Sequence, residues 1–220
     1  MKDYHNICVT LPFIVDRLKY IMNLLRILLV ISVFQLQGQN TIDPNYFSNP
    51  LEIPMILSGS FGELRNNHFH SGLDIKTQQR SGVPIYAPAD GYVSRIKVGH
   101  YGYGKALYIK HPNGYSTVYA HLQKFEANIQ DYVKQNQYKK ERYEIELFPK
   151  QSLLLVKKGD LIAYTGNSGS SGGPHLHYEI RDSYSRPMNP MLFGLEIPDT
   201  KAPSVLSLIH ISEPTRPQAI

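Results

Sequence analysis

The segment Ala106-Leu-Tyr-Ile-Lys-His-Pro-Asn-Gly-Tyr-Ser-Thr-Val-Tyr-Ala-His-Leu122 decides the fold of this 220-residue chain. At its centre, Pro112-Asn-Gly114 is the strongest local turn signal in the sequence, because Asn-Gly adopts the positive φ angles of a tight hairpin turn at little cost. The flanking residues form short apolar runs without helical periodicity, which favours strands. The segment therefore predicts a β-hairpin that joins Ala106–Lys110 to Tyr115–Leu122.

The same pattern of short apolar or alternating runs, broken by Gly, Pro and Asn, recurs between Pro50 and Pro190. Helical periodicity is scarce over this range, so the pattern indicates a mostly β fold with antiparallel strands. A second turn is predicted at Lys157–Asp160. The other predicted strands are Val83–Tyr86, Gly91–Val98, Leu161–Thr165 and Pro174–Arg181.

One stretch departs from the strand pattern. Residues 127–150 are polar and rich in Lys, Glu, Gln and Tyr, a composition that is compatible with a helix in the middle of the stretch. We interpret residues 127–150 as an insertion, helical in part, that lies over or beside the functional site rather than in the core.

The N-terminal end differs in character from the middle of the chain. Met22–Arg26 is a short basic region, Ile27–Phe34 is an apolar run, and polar residues follow, which is the layout of a secretory signal peptide. The apolar run is far shorter than the roughly 20 residues that a bilayer span needs. We therefore expect a cleaved signal at 22–38 and no stable membrane span in the mature chain, with a retained signal anchor as the alternative. Residues 1–21 are expected to be a non-native or mis-started extension.

The C-terminal end is interpreted differently. Leu206–Arg216 resembles the in-frame translation of a sequencing adapter, so residues 206–220 are expected to be an artefact that replaces a missing natural C-terminal part. Residues 199–205 would begin a linker, and residues 39–198 would form one domain with a core of its own. Export to the periplasm or the cell surface is the expected localisation.

Composition narrows the classes of function. The net charge of +5 is modest and is carried partly by the two ends, so it does not predict nucleic-acid binding. Cys8 is the only cysteine and lies in the part expected to be absent from the mature protein. That protein would then have neither a disulfide framework nor a thiolate metal site. The oligomeric state stays unknown from sequence.

Two histidines near the end of the expected domain share one face of a strand. Residues two apart in a strand project to the same side, so His175 and His177 should point the same way, with Leu176 between them facing the core. Histidines are seldom buried side by side without a partner. A metal or a substrate site would supply that partner.

A metal-binding set can be assembled from this pair and an earlier one. Catalytic Zn²⁺ takes three ligands from His, Asp or Glu and keeps a fourth position for water. His70, Asp74 and one of the pair His175 and His177 would make such a set, and its imidazoles favour zinc over Mg²⁺ or Ca²⁺. The other histidine of the pair and His121 could then accept and deliver protons and hydrogen-bond a developing oxyanion.

Four motifs in this order resemble the lysostaphin/LytM-type metallopeptidases. They are Phe69–Ile75, Tyr119–Leu122, Gly159–Gly169 and Gly173–Glu179, and the resemblance runs from about Leu57 to Pro190. The resemblance implies an open, mostly antiparallel, sandwich-like β structure with zinc at the floor of a groove. It also implies a zinc metallo-endopeptidase that cleaves peptide stems or cross-bridges of peptidoglycan.

Carried over residue by residue, the resemblance makes His70, Asp74 and His177 the ligands of one zinc ion per domain. It makes His121 and His175 the catalytic histidines. The long insertion that follows His121 departs from the compact family pattern, which leaves the shape of the groove and the substrate preference open.

Other functions stay open at this point. A non-catalytic or autoinhibited wall-binding regulator could keep the fold and act on another hydrolase, and an insertion folded over the groove would favour it. A metal-dependent hydrolase of a peptide outside peptidoglycan is a further alternative. The complete set of ligands and proton-handling histidines favours the peptidoglycan peptidase. The remaining histidines in this region, His68, His100 and His111, are assigned to structure or solvent.

Overall fold

The computed structural model describes residues 16–28, 42–65, 68–195 and 197. The chain divides into two compact units, Met1–Asp43 and Pro44–Ile220. In the first unit, residues 16–28 form helix α1, whose side chains are exposed. No helix in the described part of the chain combines the length and the apolar character that crossing a membrane requires. Most of the predicted signal peptide 22–38, the segment 199–205 and the segment 206–220 lie outside the described residues.

The second unit is built on a nine-stranded sheet whose strand pairs are antiparallel. In spatial order, seven of its strands are β1 (Leu57–Gly59), β2 (Leu73–Lys76), β11 (His175–Arg181), β6 (Ser116–Ala120), β5 (Lys105–Lys110), β4 (Gly91–Val98) and β8 (Ile145–Leu147). Strand β12 (Pro187–Met188) pairs with β11, and β9 (Leu155–Val156) pairs with β4. The predicted mostly antiparallel β fold is confirmed.

A second, smaller sheet has three strands. It runs in the order β3 (Pro84–Tyr86), β10 (Leu161–Tyr164) and β7 (Lys124–Phe125). A short 3₁₀ helix, Pro190–Phe193, follows β12.

The predicted hairpin forms between β5 and β6, and its register places Leu107 opposite Tyr119. Gly114 has a φ of 87°, an angle that glycine adopts without the clash that a Cβ atom would cause. The predicted second strand ran to Leu122, but β6 ends at Ala120. The chain leaves the sheet there because His121 takes a left-handed φ of 58°.

Alternation along β11 separates the core from the functional face. Leu176 and Tyr178 are fully buried, and the ring of Tyr178 packs 5.5 Å from that of Tyr119 on the neighbouring strand. Burying each of these large side chains stabilises the fold by about 1.5–3 kcal/mol. The alternate residues His177 and Glu179 project to the other face, where they are also buried. The core thus fixes the orientation of the polar residues between its members.

The insertion is partly helical, as predicted, since Ala127–Lys140 forms helix α2. The prediction that it lies outside the core is wrong, because four of its side chains are buried there; its position over or beside the site stays a prediction. Residues 145–147 form β8, which pairs with β4 at the edge of the sheet, three strands away from β6. The apolar side chains that anchor the insertion in the core are Ile129, Val133, Ile145 and Leu147. Removing these four apolar side chains from water stabilises the packing of the insertion against the core.

Candidate functional site

Three neighbouring strands bring the predicted site residues to one face of the sheet. His177 on β11 pairs with Asp74 on β2 and with Ala120 on β6. His121 follows Ala120 directly, and His175 lies two residues before His177 on the same strand. His70 lies in the loop before β2, where its backbone N–H donates to the Glu63 carbonyl over 2.8 Å. The structure therefore brings all five residues together.

Three of the five residues converge on one point. The Nε2 atom of His70 is 3.1 Å from Oδ1 of Asp74 and 3.0 Å from Nδ1 of His177. Oδ1 of Asp74 and Nδ1 of His177 are 2.9 Å apart. These atoms form a nearly equilateral triangle. In a tetrahedral zinc site, where bonds are about 2.0–2.1 Å long, ligand atoms lie about 3.3 Å apart. Among the described residues, this trio is the group that could hold a metal ion.

Hydrogen bonds at the far side of each ring show which nitrogens remain as acceptors. His70 Nδ1 lies 2.8 Å from the Ser60 carbonyl oxygen, and His177 Nε2 lies 2.8 Å from a carboxylate oxygen of Glu179. Neither oxygen can donate, so each of these nitrogens carries the proton of the neutral ring. In the neutral rings the nitrogens that face Asp74 therefore carry lone pairs, so that either a proton or a metal cation has to lie between them and the carboxylate. Three electron-rich atoms at contact distance need a cation, which is the observation that fits a metal to these residues.

The electrostatics of the site favour the ionised carboxylate. Burial raises the pKa of Asp74, but hydrogen bonds from His175, His177 and His70 outweigh this and hold the pKa well below its usual range. Burial lowers the pKa of His177, while its hydrogen bonds to Asp74 and Glu179 raise it more, so that it lies above its ordinary value. The negative charges of Asp74 and Glu179 thus favour a positive charge between these side chains, and a divalent cation can take the place of a proton there.

His121 and His175 flank the trio, and each is held by a backbone carbonyl. His121 Nδ1 lies 2.8 Å from the Ser168 oxygen, and His175 Nδ1 lies 2.8 Å from the Gly173 oxygen. Their ring centroids are 4.8 Å apart, and His175 Nε2 is 3.5 Å from Oδ1 of Asp74. In both rings Nδ1 is the anchored proton donor, which leaves Nε2 as the atom for proton exchange.

The backbone of His121 has a strained conformation. A left-handed φ in a non-glycine residue costs about 1–2 kcal/mol, and His121 adopts one directly at the site. Burial lowers the pKa of its imidazole to about 4. Strain of this kind persists only where the rest of the fold imposes it, and it often marks functional positions.

Glu179 was not assigned a role from the sequence. Its carboxylate accepts a hydrogen bond from His177 on the side of the ring away from Asp74. Its carboxylate is fully buried and accepts hydrogen bonds from His177, from the Ser71 hydroxyl at 2.6 Å and from the Tyr103 hydroxyl. Arg181 donates to its other oxygen over 2.5 Å. Burial raises the pKa of Glu179, but the hydrogen bonds to His177 and Arg181 lower it to about 2. The i, i+2 spacing from His177 on one strand was a signal that could have identified it.

Arg65 was also missed, and here the sequence offered no signal. Its guanidinium lies 2.9 Å from Oδ2 of Asp74 and 3.2 Å from Glu63. Arg65 thus binds the Asp74 oxygen that does not face the histidines, and this contact orients the carboxylate. The pairing depends on how the loop before β2 folds back, which no local pattern in the sequence indicates.

Two of the three histidines assigned to structure or solvent have structural contacts. His111 is buried and bonds to the Asp90 carbonyl at 2.8 Å and to the Thr117 hydroxyl at 2.9 Å. His100 stacks on Tyr143 with ring centroids 4.8 Å apart. His68 is exposed.

Comparison with known proteins relates most of the second unit to one family. The family model for Peptidase family M23 matches residues 68–138 and 151–190. The gap between the two matched segments falls within the predicted insertion 127–150. All five predicted site residues lie inside the matched segments.

Curated relatives match over a limited part of their own length. DD-carboxypeptidase/endopeptidase Mpg of Neisseria meningitidis is 31% identical over 172 residues, which cover 76% of this chain and 32% of the relative. Peptidoglycan DD-endopeptidase ShyB of Vibrio cholerae is 34% identical over 128 residues, covering 58% of this chain and 24% of that protein. The chain therefore spans about a third or less of the length of these relatives.

One solved structure, described as a zinc containing peptidase from Vibrio cholerae, is 27% identical with a TM-score of 0.49 and covers 70% of this chain and 41% of that one.

Proposed function

We propose, since this chain belongs to Peptidase family M23, that it is a zinc-dependent endopeptidase that hydrolyses peptide bonds in bacterial cell-wall peptidoglycan. The observation that carries the proposal is the convergence of three electron-rich atoms, from His70, Asp74 and His177, beside two more histidines. The names of the relatives support the substrate class, because a Vibrio cholerae relative is a peptidoglycan DD-endopeptidase.

One zinc ion per domain would be held by His70 Nε2, Asp74 Oδ1 and His177 Nδ1. Two nitrogens and one carboxylate oxygen are a ligand set that suits zinc better than Mg²⁺ or Ca²⁺. When bound, zinc supplies Lewis acidity, which polarises a carbonyl group and lowers the pKa of water. Glu179 and the Ser60 carbonyl fix the orientation of the two imidazoles, and Arg65 fixes that of the carboxylate.

Hydrolysis of an amide adds a hydroxyl group to the carbonyl carbon and a proton to the departing nitrogen. His121 and His175 are placed to handle that proton. Each donates Nδ1–H to a backbone carbonyl, so Nε2 can accept a proton from the attacking water and return it to the leaving amine. A protonated Nε2 can also donate a hydrogen bond to the developing oxyanion.

The proposed substrate requires an exported protein, because peptidoglycan lies outside the cytoplasmic membrane. The signal-like pattern at 22–38 supports export to the periplasm or the cell surface. A fusion of residues 1–45 to alkaline phosphatase, which is active only after export, tests this part. Phosphatase activity is expected, and it should be lost when the apolar run 27–34 is deleted. An inactive fusion, or one whose activity survives the deletion, would contradict export through this segment.

The alternative is a regulator that binds the wall without cutting it. An insertion that closed the groove would have supported an autoinhibited form of it. The insertion instead forms α2 and the edge strand β8, and β8 is separated from β6 by two strands. Both proton-handling histidines are also retained beside the trio, and a binding module has no need of them.

The test compares the protein with its His121→Ala variant. Zinc content and digestion of purified peptidoglycan are measured side by side, with new peptide ends detected by mass spectrometry. Both proteins are expected to bind about one zinc ion, while the variant loses about 10²–10⁴-fold in cleavage rate because proton transfer is removed. A folded parent that binds zinc and makes no new peptide ends would favour the regulator.

A further inference from the structure

A groove of about 550 Å³ opens beside the candidate metal site on the His175 side. Its polar lining includes Arg65, Lys76, Gln78, Gln79 and His175, and the segment Gly172–Pro174 also lines it. The register of the sheet explains the position of the lysine, since Lys76 on β2 lies opposite His175 on β11. Strand alternation puts Lys76 on the same face as Asp74, two residues earlier. The groove therefore contains a positively charged side chain, Lys76, two residues along β2 from the candidate metal ligand Asp74.

The two cations that line the groove differ in their partners. Arg65 is already paired with Asp74 at 2.9 Å and with Glu63 at 3.2 Å. Lys76 is exposed, and no acidic side chain among the described residues pairs with it. An exposed lysine beside a reaction site is available for a negative group on the substrate.

The turn that borders Lys76 is strained. Thr77 and Arg80 close it through a 3.1 Å backbone hydrogen bond, and its two central residues, Gln78 and Gln79, have φ angles of 55° and 60°. Such a turn prefers Asn-Gly, because both central positions lie in the left-handed region. Both glutamines are exposed and line the groove. An Asn-Gly pair would relieve this strain. The presence of the strain beside the candidate site therefore indicates that the Gln78 and Gln79 side chains have a function.

We propose that this groove is a subsite for a free carboxylate on the peptide substrate, with Lys76 supplying the positive charge and the amides of Gln78 and Gln79 hydrogen-bonding the same residue of the substrate. The subsite deepens the proposed peptidase function and rests on it. The carboxylate belongs to a residue next to the scissile bond, because Lys76 lies only two residues beyond Asp74 on the same face of β2. The enzyme thereby distinguishes acidic from amidated stem peptides.

The test uses two peptides that are identical except that the carboxylate next to the scissile bond is free in one and amidated in the other. The zinc-loaded protein is expected to show a KM about two- to fivefold lower for the free acid, which is the range of an exposed ion pair. Lys76→Gln removes this preference by raising KM for the acid alone, and kcat stays unchanged. Equal KM values for the parent, or a preference that survives in Lys76→Gln, would overturn the subsite.

A matched control separates a local contact from a general charge effect. Lys110→Gln makes the same charge change at an exposed lysine at the end of β5, and it should leave the preference intact. Loss of preference in Lys110→Gln as well would assign it to the overall field of the protein and overturn the local subsite. The preference of the parent should also shrink as salt is raised, since exposed charges are screened.

The turn is tested separately with Gln78→Asn/Gln79→Gly, which supplies the sequence that the backbone prefers. This variant should unfold at a higher temperature and yet have a higher KM for the acidic peptide. Ser185→Gly is its control, because Ser185 has a φ of 63° in the turn at the opposite end of β11. Ser185→Gly should gain stability with KM unchanged. A Gln78→Asn/Gln79→Gly variant that gains stability and keeps its KM would remove the glutamines from the subsite.

Binding measurements separate failure of the subsite from failure of the peptidase. The two peptides are titrated into zinc-loaded His121→Ala, alone and combined with Lys76→Gln. If the parent cleaves neither peptide while His121→Ala binds the acid more tightly through Lys76, the proposed peptidase fails and the anion subsite stands. Equal binding of the acid and the amide to His121→Ala overturns the subsite, whatever the parent cleaves.

Discussion

Two buried histidines, His111 directly after β5 and His177 on β11, have opposite hydrogen-bonding situations. His111 donates from Nδ1 to the Asp90 carbonyl and accepts at Nε2 from the Thr117 hydroxyl, so both of its nitrogens have complementary partners. His177 donates from Nε2 to Glu179, but its Nδ1 meets two further electron-rich atoms, from His70 and Asp74. The exposed fractions of the two side chains are nearly equal, at 3% and 4%.

The difference shows what distinguishes a structural histidine from a candidate ligand. Burial alone does not, because both rings are equally buried. Complementarity does, since a neutral imidazole offers one donor and one acceptor and is satisfied when each finds its opposite. The His111 site is complete with neutral protein groups, whereas the His177 site is complete only with an added cation.

The largest expected effect comes from removing the negative ligand. Asp74→Asn keeps the shape of the side chain and removes its charge, so zinc is lost and cleavage falls by about 10³-fold or more, since Lewis-acid stabilisation is worth several kcal/mol. Zinc content and kcat/KM measure both changes. His111→Gln should leave both unchanged. Stoichiometric zinc in Asp74→Asn would place the metal elsewhere and break the contrast between the two histidines.

A smaller effect, on the free energy of unfolding, is expected at His111 when the pH is varied. Burial lowers its pKa from 6.5 to about 4 in the folded protein. The folded state therefore binds fewer protons than the unfolded state between these values, so stability is complete above about pH 6.5 and falls as pH is lowered towards 4. Linkage puts the loss at about 3 kcal/mol.

Urea unfolding of the parent and of His111→Gln between pH 4 and 7 measures this loss by difference. The variant cannot titrate at this position, so its pH dependence should be shallower by the same amount. Parallel curves for the two proteins would mean that His111 is not held neutral, and the description of its site as complete would be wrong.

The smallest expected effect concerns Glu179, which accepts a hydrogen bond from His177. Glu179→Gln keeps an acceptor for Nε2–H but removes the charge, so zinc affinity is expected to fall about 10–100-fold while the fold is retained. Competition with a chelator of known affinity measures it. Glu146→Gln is the matched control, because Glu146 also pairs with an arginine, Arg95 at 2.6 Å, on strands away from the trio. Equal zinc affinity in parent and Glu179→Gln would limit Glu179 to a structural role.

Much of the fold followed from local patterns, and the exceptions have identifiable causes. The hairpin around Gly114 was predictable because turn chemistry depends on adjacent residues. The end of β6 was not, because the left-handed φ of His121 is imposed by its neighbours in space. Strand β8 in the insertion was not predicted because Ile145 and Leu147 are only two apolar residues in a polar stretch, and they form a strand by pairing with β4.

The sequence by itself determined the chemical groups and their local faces. The spacing of His175 and His177 fixes a shared side of one strand, since side chains alternate along any strand. Only the tertiary structure decided that β2 lies beside β11, so that Asp74 meets His177. It also decided which ring nitrogens face inward, that Glu179 orients His177, and that Arg65 orients Asp74. Strand alternation and turn preference act between neighbours in the chain, so they can be inferred from the sequence. Strand pairing and buried hydrogen bonds join residues far apart in the chain and depend on how the whole core packs.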